Sequence, residues 1–266
     1  MARVTKHYVD GRFGQMHFRR AAPVNDTGRP ALLLFHMSPY SGVIYDTFMA
    51  EIGNDRLVIA VDTPGFGNSD APPDLPEISD YAAAMGDVMD ALKLRGVDLM
   101  GYHTGSKVAM ELALQRPSQI RKLVMVSASI FTDAELADHR NLYAQTDIAE
   151  DGAHLAKWWK AAMRWSMKGR TKEQVAGVFY SRLMNPAISW WGHRAAFNYK
   201  TADALPKVSH PILILNPEDD IWPFTPRAKP LLKNGRIHDL PGWSHGFLDI
   251  KTADAAAIVR GFLDAA

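Results

Sequence analysis

The chain contains no cysteine. Disulfides, thiolate catalysis and Cys-ligated zinc or iron–sulfur sites are therefore excluded, and the redox compartment is left open. A charge excess of either sign is also missing: 30 Lys and Arg face 29 Asp and Glu, for a formal net charge of +1. That balance gives no electrostatic basis for binding nucleic acid or an anionic membrane. No apolar run reaches the length of a bilayer span. The stretch Met1 to Asp10 has no apolar segment of the kind a secretory signal needs, so a cytoplasmic location is expected. Among the histidines there is no H-x-x-x-H or H-x-H spacing, and neither a metal nor a cofactor is expected. Repeats and low-complexity tracts are absent. What remains is 266 residues that are 47% hydrophobic, enough for one large domain or a domain with an insert.

Continuous apolar runs supply the framework. Ala31–Phe35, Leu57–Val61, Val97–Met100, Leu123–Val126, Pro211–Leu215 and Arg236–Leu240 read as strands, most of them apolar enough to be buried on both faces of a parallel sheet. A hairpin precedes them, with Tyr8 and Val9, a turn at Asp10-Gly11, and Gln15 to Arg19. Helical patterns fall between the strands: Tyr45 to Ile52, a helix capped by Ser79 or Asp80 and running to about Leu94, Ser106 to Gln115, and 252–264. This alternation predicts a mostly parallel, doubly wound α/β sheet. From 131 to 205 the texture changes to helix, with five of the chain's seven tryptophans. The expected organisation is an α/β core over 1–130, an inserted helical cap over 131–205, and the rest of the core over 206–266.

Val97 to Ser106 is the stretch to which the other motifs refer. Gly101-Tyr102-His103-Thr104-Gly105 has the spacing of the strand–turn–helix elbow G-x-S-x-G, with histidine at the central position. An elbow holds that residue in a strained backbone region, and such strain persists mainly where it serves function. His103 is accordingly taken as functional, as a nucleophile through an acyl-imidazole, as a base, or as a substrate-binding group.

Four motifs in order carry a resemblance. His36-Met37-Ser38-Pro39 is similar to an H-G-x-P loop with Met37 in place of glycine. Asp62 to Asp70 is similar to D-x-P-G-x-G-x-S-D, and the elbow follows. Asp219 and His245 stand where an acid and a base are placed. On these residues the chain resembles the α/β-hydrolase superfamily, in the capped branch that includes haloalkane dehalogenases, epoxide hydrolases and carbon–carbon bond hydrolases. The resemblance implies an α/β-hydrolase fold. It also implies a triad variant of His103, Asp219 and His245, with His245 as general base oriented by Asp219; Asp220 is the alternative acid. An oxyanion hole from the backbone N–H groups of Ser38 and Thr104 is implied as well. His36, Met37, Trp159, Trp190 and Trp222 are candidate pocket residues, although His36 also suits a loop-stabilising role. Ser106 is expected to pack beneath the elbow, and Asp62 to be structural.

The function expected is cofactor-independent hydrolysis of a small or medium apolar or aromatic ester, lactone or vinylogous carbon–carbon bond, by a monomer or homodimer. The alternatives are a lyase, isomerase or cofactor-free oxygenase, or a non-catalytic ligand-binding homologue.

Overall fold

The computed structural model describes residues 1–145 and 147–265. Its strands are β1 (Thr5–Gly11), β2 (Gly14–Ala21), β3 (Leu32–Phe35), β4 (Val58–Val61), β5 (Val97–Tyr102), β6 (Ile120–Val126), β7 (Ile212–Pro217) and β8 (Gly235–Leu240). They form one eight-stranded sheet in the order β1-β2-β4-β3-β5-β6-β7-β8. β1 and β2 are antiparallel to each other and β2 to β4, whereas β4 and β3, β3 and β5, and every pair onward to β8 run parallel.

The apolar runs have a simple cause. Side chains alternate across a strand, and both faces here are covered. Leu33, Phe35 and Leu99 face a layer with Met85 and Val88 of α2 (Ile78–Ala91, following α1, Asp46–Ile52) and with Val108 and Leu112 of α3 (Thr104–Gln115). Leu32, Leu34 and Met100 face Phe48 and Met49 of α1 and the C-terminal Val259 and Phe262. Between β6 and β7 the chain is helical: α4 (Asp133–Leu142), α5 (Ala153–Arg164), α6 (Lys172–Phe179), α7 (Trp191–Asn198) and α8 (Thr201–Ala204). The fold closes with α9 (Phe247–Ile250) and α10 (Thr252–Leu263). Among the described residues no helix is long and apolar enough to cross a membrane.

Two local expectations shift. The hairpin turn falls at Arg12-Phe13, because Gly11 pairs with Gly14. Gly14 has φ +109, a conformation open to glycine, and this closes the turn two residues later than Asp10-Gly11. The cap of α2 is Glu77, not Ser79 or Asp80. Asp80 instead supplies the returning half of a capping box, accepting the Glu77 N–H at 2.8 Å.

Candidate active site

Every sequence motif lies at the carboxyl edge of the sheet, where parallel strands open onto ligand sites. His36 follows β3, His103 follows β5, Asp219 and Asp220 follow β7, and His245 follows β8.

The elbow is built by close approach. A Cβ on Gly105 would overlap the carbonyl oxygen of Phe35, and one on Gly101 would overlap that of Gly105. Glycine at both positions lets α3 start hard against β3 and β5. His103, between them, has φ +48 and ψ −104, a backbone region that costs a non-glycine residue about 1–3 kcal/mol. Ser106 Oγ donates to Gly101 O at 2.9 Å and to Val126 O at 3.0 Å, beneath the elbow and away from the cavity.

The His–Asp pairing differs from the expected triad. His103 Nε2–H donates to Asp219 Oδ2 at 2.8 Å, and Asp219 is wholly buried. His245 pairs with Asp220, Nε2 to Oδ1 at 2.9 Å. Asp219 therefore does not orient His245 as expected; it holds the elbow imidazole, and the adjacent carboxylate holds the loop histidine. The two imidazoles stand edge to face with centroids 5.2 Å apart. Tyr102, in the sequence only a spacer of the elbow motif, adds a contact: its hydroxyl lies 3.2 Å from His245 Nδ1. Burial and the neighbouring carboxylates push the Tyr102 phenol well above its ordinary value, so it remains protonated.

Burial works against a charged His245, but the hydrogen bond and negative charge of Asp220 outweigh it, and the pKa is raised. Burial likewise works against a charged Asp220, yet His245 and His103 bring its carboxyl well below the usual range. The backbone of His245 is tied to the helical insert: its N–H donates to Trp165 O at 3.1 Å, and its carbonyl accepts Met167 N–H at 2.8 Å.

The cavity above these residues has a volume of about 490 Å³. Met37, Ser38 and Trp190 line it, as do Tyr40, Trp158, Arg182 and His193. The first residue of α3 is Thr104, whose N–H precedes any helical acceptor. Three expected pocket residues lie elsewhere. His36 is buried, its Nδ1–H donating to Met37 O at 3.0 Å and its Nε2 accepting Thr63 N–H at 2.9 Å; it ties two loops together as a neutral ring. Trp159 packs edge-on against Phe179 at 5.4 Å while its neighbour Trp158 takes the cavity, since successive residues on a helix face about 100° apart. Trp222 is 43% exposed and outside the cavity lining. Asp62 is structural as expected, its carboxylate accepting Gly42 N–H at 2.7 Å and Asn68 N–H at 3.0 Å.

Arg182 was not singled out from the sequence. Its guanidinium stacks 4.5 Å from the Trp158 ring centroid. Its Nε is buried with no hydrogen-bond partner. Among the described residues it meets no carboxylate within ion-pair distance, although most of the chain's other buried arginines do. Next to it, burial and the Arg182 charge push His193 down to about 3, so that ring is neutral.

Residues 30–215 match the family model described as alpha/beta hydrolase fold. The chain belongs to this family. An uncharacterized protein of Mycobacterium tuberculosis is 33% identical over 118 residues, 44% of this chain and 34% of that protein, so the match spans about a third of the length of that relative. The 2-hydroxy-6-oxo-2,4-heptadienoate hydrolase of Pseudomonas putida is 27% identical over 238 residues, 83% of this chain and 81% of its own. An esterase from Exiguobacterium antarcticum has a TM-score of 0.83 at 15% identity, over 98% of this chain and 100% of that one. The enol-lactonase from Burkholderia xenovorans LB400 has a TM-score of 0.80 at 16% identity, over 97% and 100%. At such identities the structural likeness speaks to the fold alone.

Proposed function

We propose that this α/β-hydrolase-family protein hydrolyses a small acyl or vinylogous carbonyl substrate bearing an anionic group, by attack of water and without a serine nucleophile. The observation that carries this is the pair of His–Asp couples at the elbow, His103–Asp219 and His245–Asp220, set 5.2 Å apart ring to ring. With Nε2–H donated to Asp219, His103 keeps Nδ1 as a basic nitrogen, and it takes the proton from water. His245, held as the charged ring by Asp220, passes its Nδ1 proton to the Tyr102 hydroxyl oxygen, and the Tyr102 O–H, which lines the cavity, gives its own proton to the leaving group. The roles are those of a base and an acid set apart by their surroundings. The N–H groups of Ser38 and Thr104 receive the oxyanion, since backbone donors do not depend on the identity of the elbow side chain.

The half-buried Arg182 guanidinium supports the anionic substrate: its buried Nε has no partner, and among the described residues no carboxylate lies within ion-pair distance, so a ligand carboxylate would satisfy it. Trp158 and Trp190 suit a flat apolar body. The name of the Pseudomonas putida relative, a hydrolase of a keto carboxylate, agrees with this class. A second reading, proton transfer without hydrolysis as in a lyase or isomerase, draws on an imidazole, not a hydroxyl, at the central elbow position.

The test is a panel of p-nitrophenyl esters, lactones and 1,5-diketo acids, each offered with and without a carboxylate. Hydrolysis is expected to fall by orders of magnitude in His103→Ala and His245→Ala. Arg182→Met is expected to raise KM for the acidic members and leave the neutral ones unchanged. Absence of any cleavage across the panel, with a small acid co-purifying, moves the assignment to the second reading.

A further inference from the structure

We propose that His103, Asp219, Asp220 and His245 also form a binding site for a single divalent cation of the zinc class. One donor atom from each of the four lies within 4.8 Å of the others. Zinc at about 2.0–2.2 Å from its ligands holds tetrahedral donors roughly 3.3–3.6 Å apart. The two existing His–Asp contacts are already 2.8 and 2.9 Å, so closure on an ion requires movement of about an ångström at the widest pair. The protons now shared within each couple are what the ion would displace.

Second, three of the four groups have their other polar atom engaged from behind. Asp219 Oδ1 accepts Ile221 N–H at 3.1 Å, leaving Oδ2 toward the cluster. Asp220 Oδ2 accepts the Tyr143 hydroxyl at 3.3 Å, leaving Oδ1. His245 Nδ1 meets the Tyr102 hydroxyl at 3.2 Å, leaving Nε2. Outer hydrogen bonds of this kind orient metal ligands and select the coordinating nitrogen. A donor set of two imidazoles and two carboxylates, with no thiolate, selects zinc, cobalt or nickel over the calcium and magnesium that prefer all-oxygen shells. The side chains of His103, His245 and Asp220 are 15%, 16% and 22% exposed, which gives an ion access from the cavity. The sequence spacing missed the set because its members come from loops after β5, β7 and β8.

A bound ion occupies both imidazoles. On the acid–base reading above it therefore inhibits hydrolysis, and this consequence, unlike binding itself, rests on that reading.

The experiment uses the full chain dialysed against a chelator and then titrated with cobalt(II) chloride, followed by visible absorption, and with zinc chloride, followed by calorimetry. One ion per chain is expected, with cobalt bands of four- or five-coordinate intensity. Tyr102→Phe keeps all four donors and is expected to weaken binding by about 10-fold or more. His103→Ala, shown folded by circular dichroism, is expected to abolish the bands. No bands with wild type at millimolar cobalt, or bands that survive His103→Ala, overturn the site. Activity of the metal-free protein is measured separately on the ester panel. Metal binding without any hydrolysis fails the function and keeps the site; hydrolysis without metal binding does the reverse. Binding that leaves hydrolysis at full rate overturns the inhibition.

Discussion

Replacing His103 separates two opposed contributions at one residue. Its imidazole satisfies the wholly buried Asp219 carboxylate, and a hydrogen bond to a charged group contributes about 1.5–3 kcal/mol. Its backbone, at φ +48, costs about 1–3 kcal/mol for any residue carrying a Cβ. His103→Ala loses the hydrogen bond and keeps the strain. His103→Gly loses the same bond and sheds the strain, at the expense of about 0.5–1 kcal/mol of extra freedom in the unfolded chain. The glycine variant is therefore expected to be more stable than the alanine variant by about 1–2 kcal/mol. For a domain of this size that corresponds to a Tm difference of roughly 2–5 °C.

Thermal and urea unfolding of both variants measure the difference, and both proteins are expected to be equally inactive. A third variant isolates the buried charge. His103→Ala with Asp219→Asn removes the carboxylate left unpaired, and the double variant is expected to exceed His103→Ala in stability. An alanine variant as stable as the glycine variant refutes the strain argument. A double variant no more stable than the single one refutes the assignment of Asp219 as the partner whose charge His103 satisfies.

Two further predictions concern the scaffold of the elbow. Lys107 is buried on α3 with its amine donating to Ala196 O at 2.7 Å, and burial pushes its pKa from 10.5 down to about 7. The fold thus binds fewer protons than the unfolded chain between about pH 7 and 10.5, so stability rises with pH across that window and the full penalty applies below it. Lys107→Met is expected to flatten the rise, which amounts to a few kcal/mol, as read from urea midpoints at pH 7, 8, 9 and 10; an unchanged slope overturns the assignment. Gly105→Ala is expected to prevent stable folding or lower Tm by more than 10 °C, because its methyl group would overlap the Phe35 carbonyl oxygen on a neighbouring strand, and backbone there cannot yield as a side-chain tip would.

How much of this could be read from the sequence depended on the range of the physics involved. Burial on both faces is a property of a whole strand, so runs such as Leu32–Phe35 and Val58–Val61 announced a covered parallel sheet. The motif loops then had to lie at its carboxyl edge, and His103, Asp219 and His245 do. Direction of a single side chain is different. Trp158 and Trp159 are one residue apart, and helix phase alone sends one to the cavity and the other to Phe179. Arg182 is one arginine among many until the fold shows that it lacks a carboxylate and stacks on Trp158. His36 carries the same letter as His103 and His245, yet it lies outside the cavity lining with its ring nitrogens on Met37 and Thr63 backbone groups.

The adjacent acids make the same point at the centre of the site. In the expected triad a single carboxylate after β7 orients the histidine after β8. Here the elbow carries histidine, whose imidazole N–H meets Asp219, and the adjacent Asp220 holds His245. The substitution at the elbow and the doubled acid at 219 and 220 are thus one arrangement, in which each imidazole has its own carboxylate. On the proposed function, the second pair lets the elbow histidine take a proton while the loop histidine gives one.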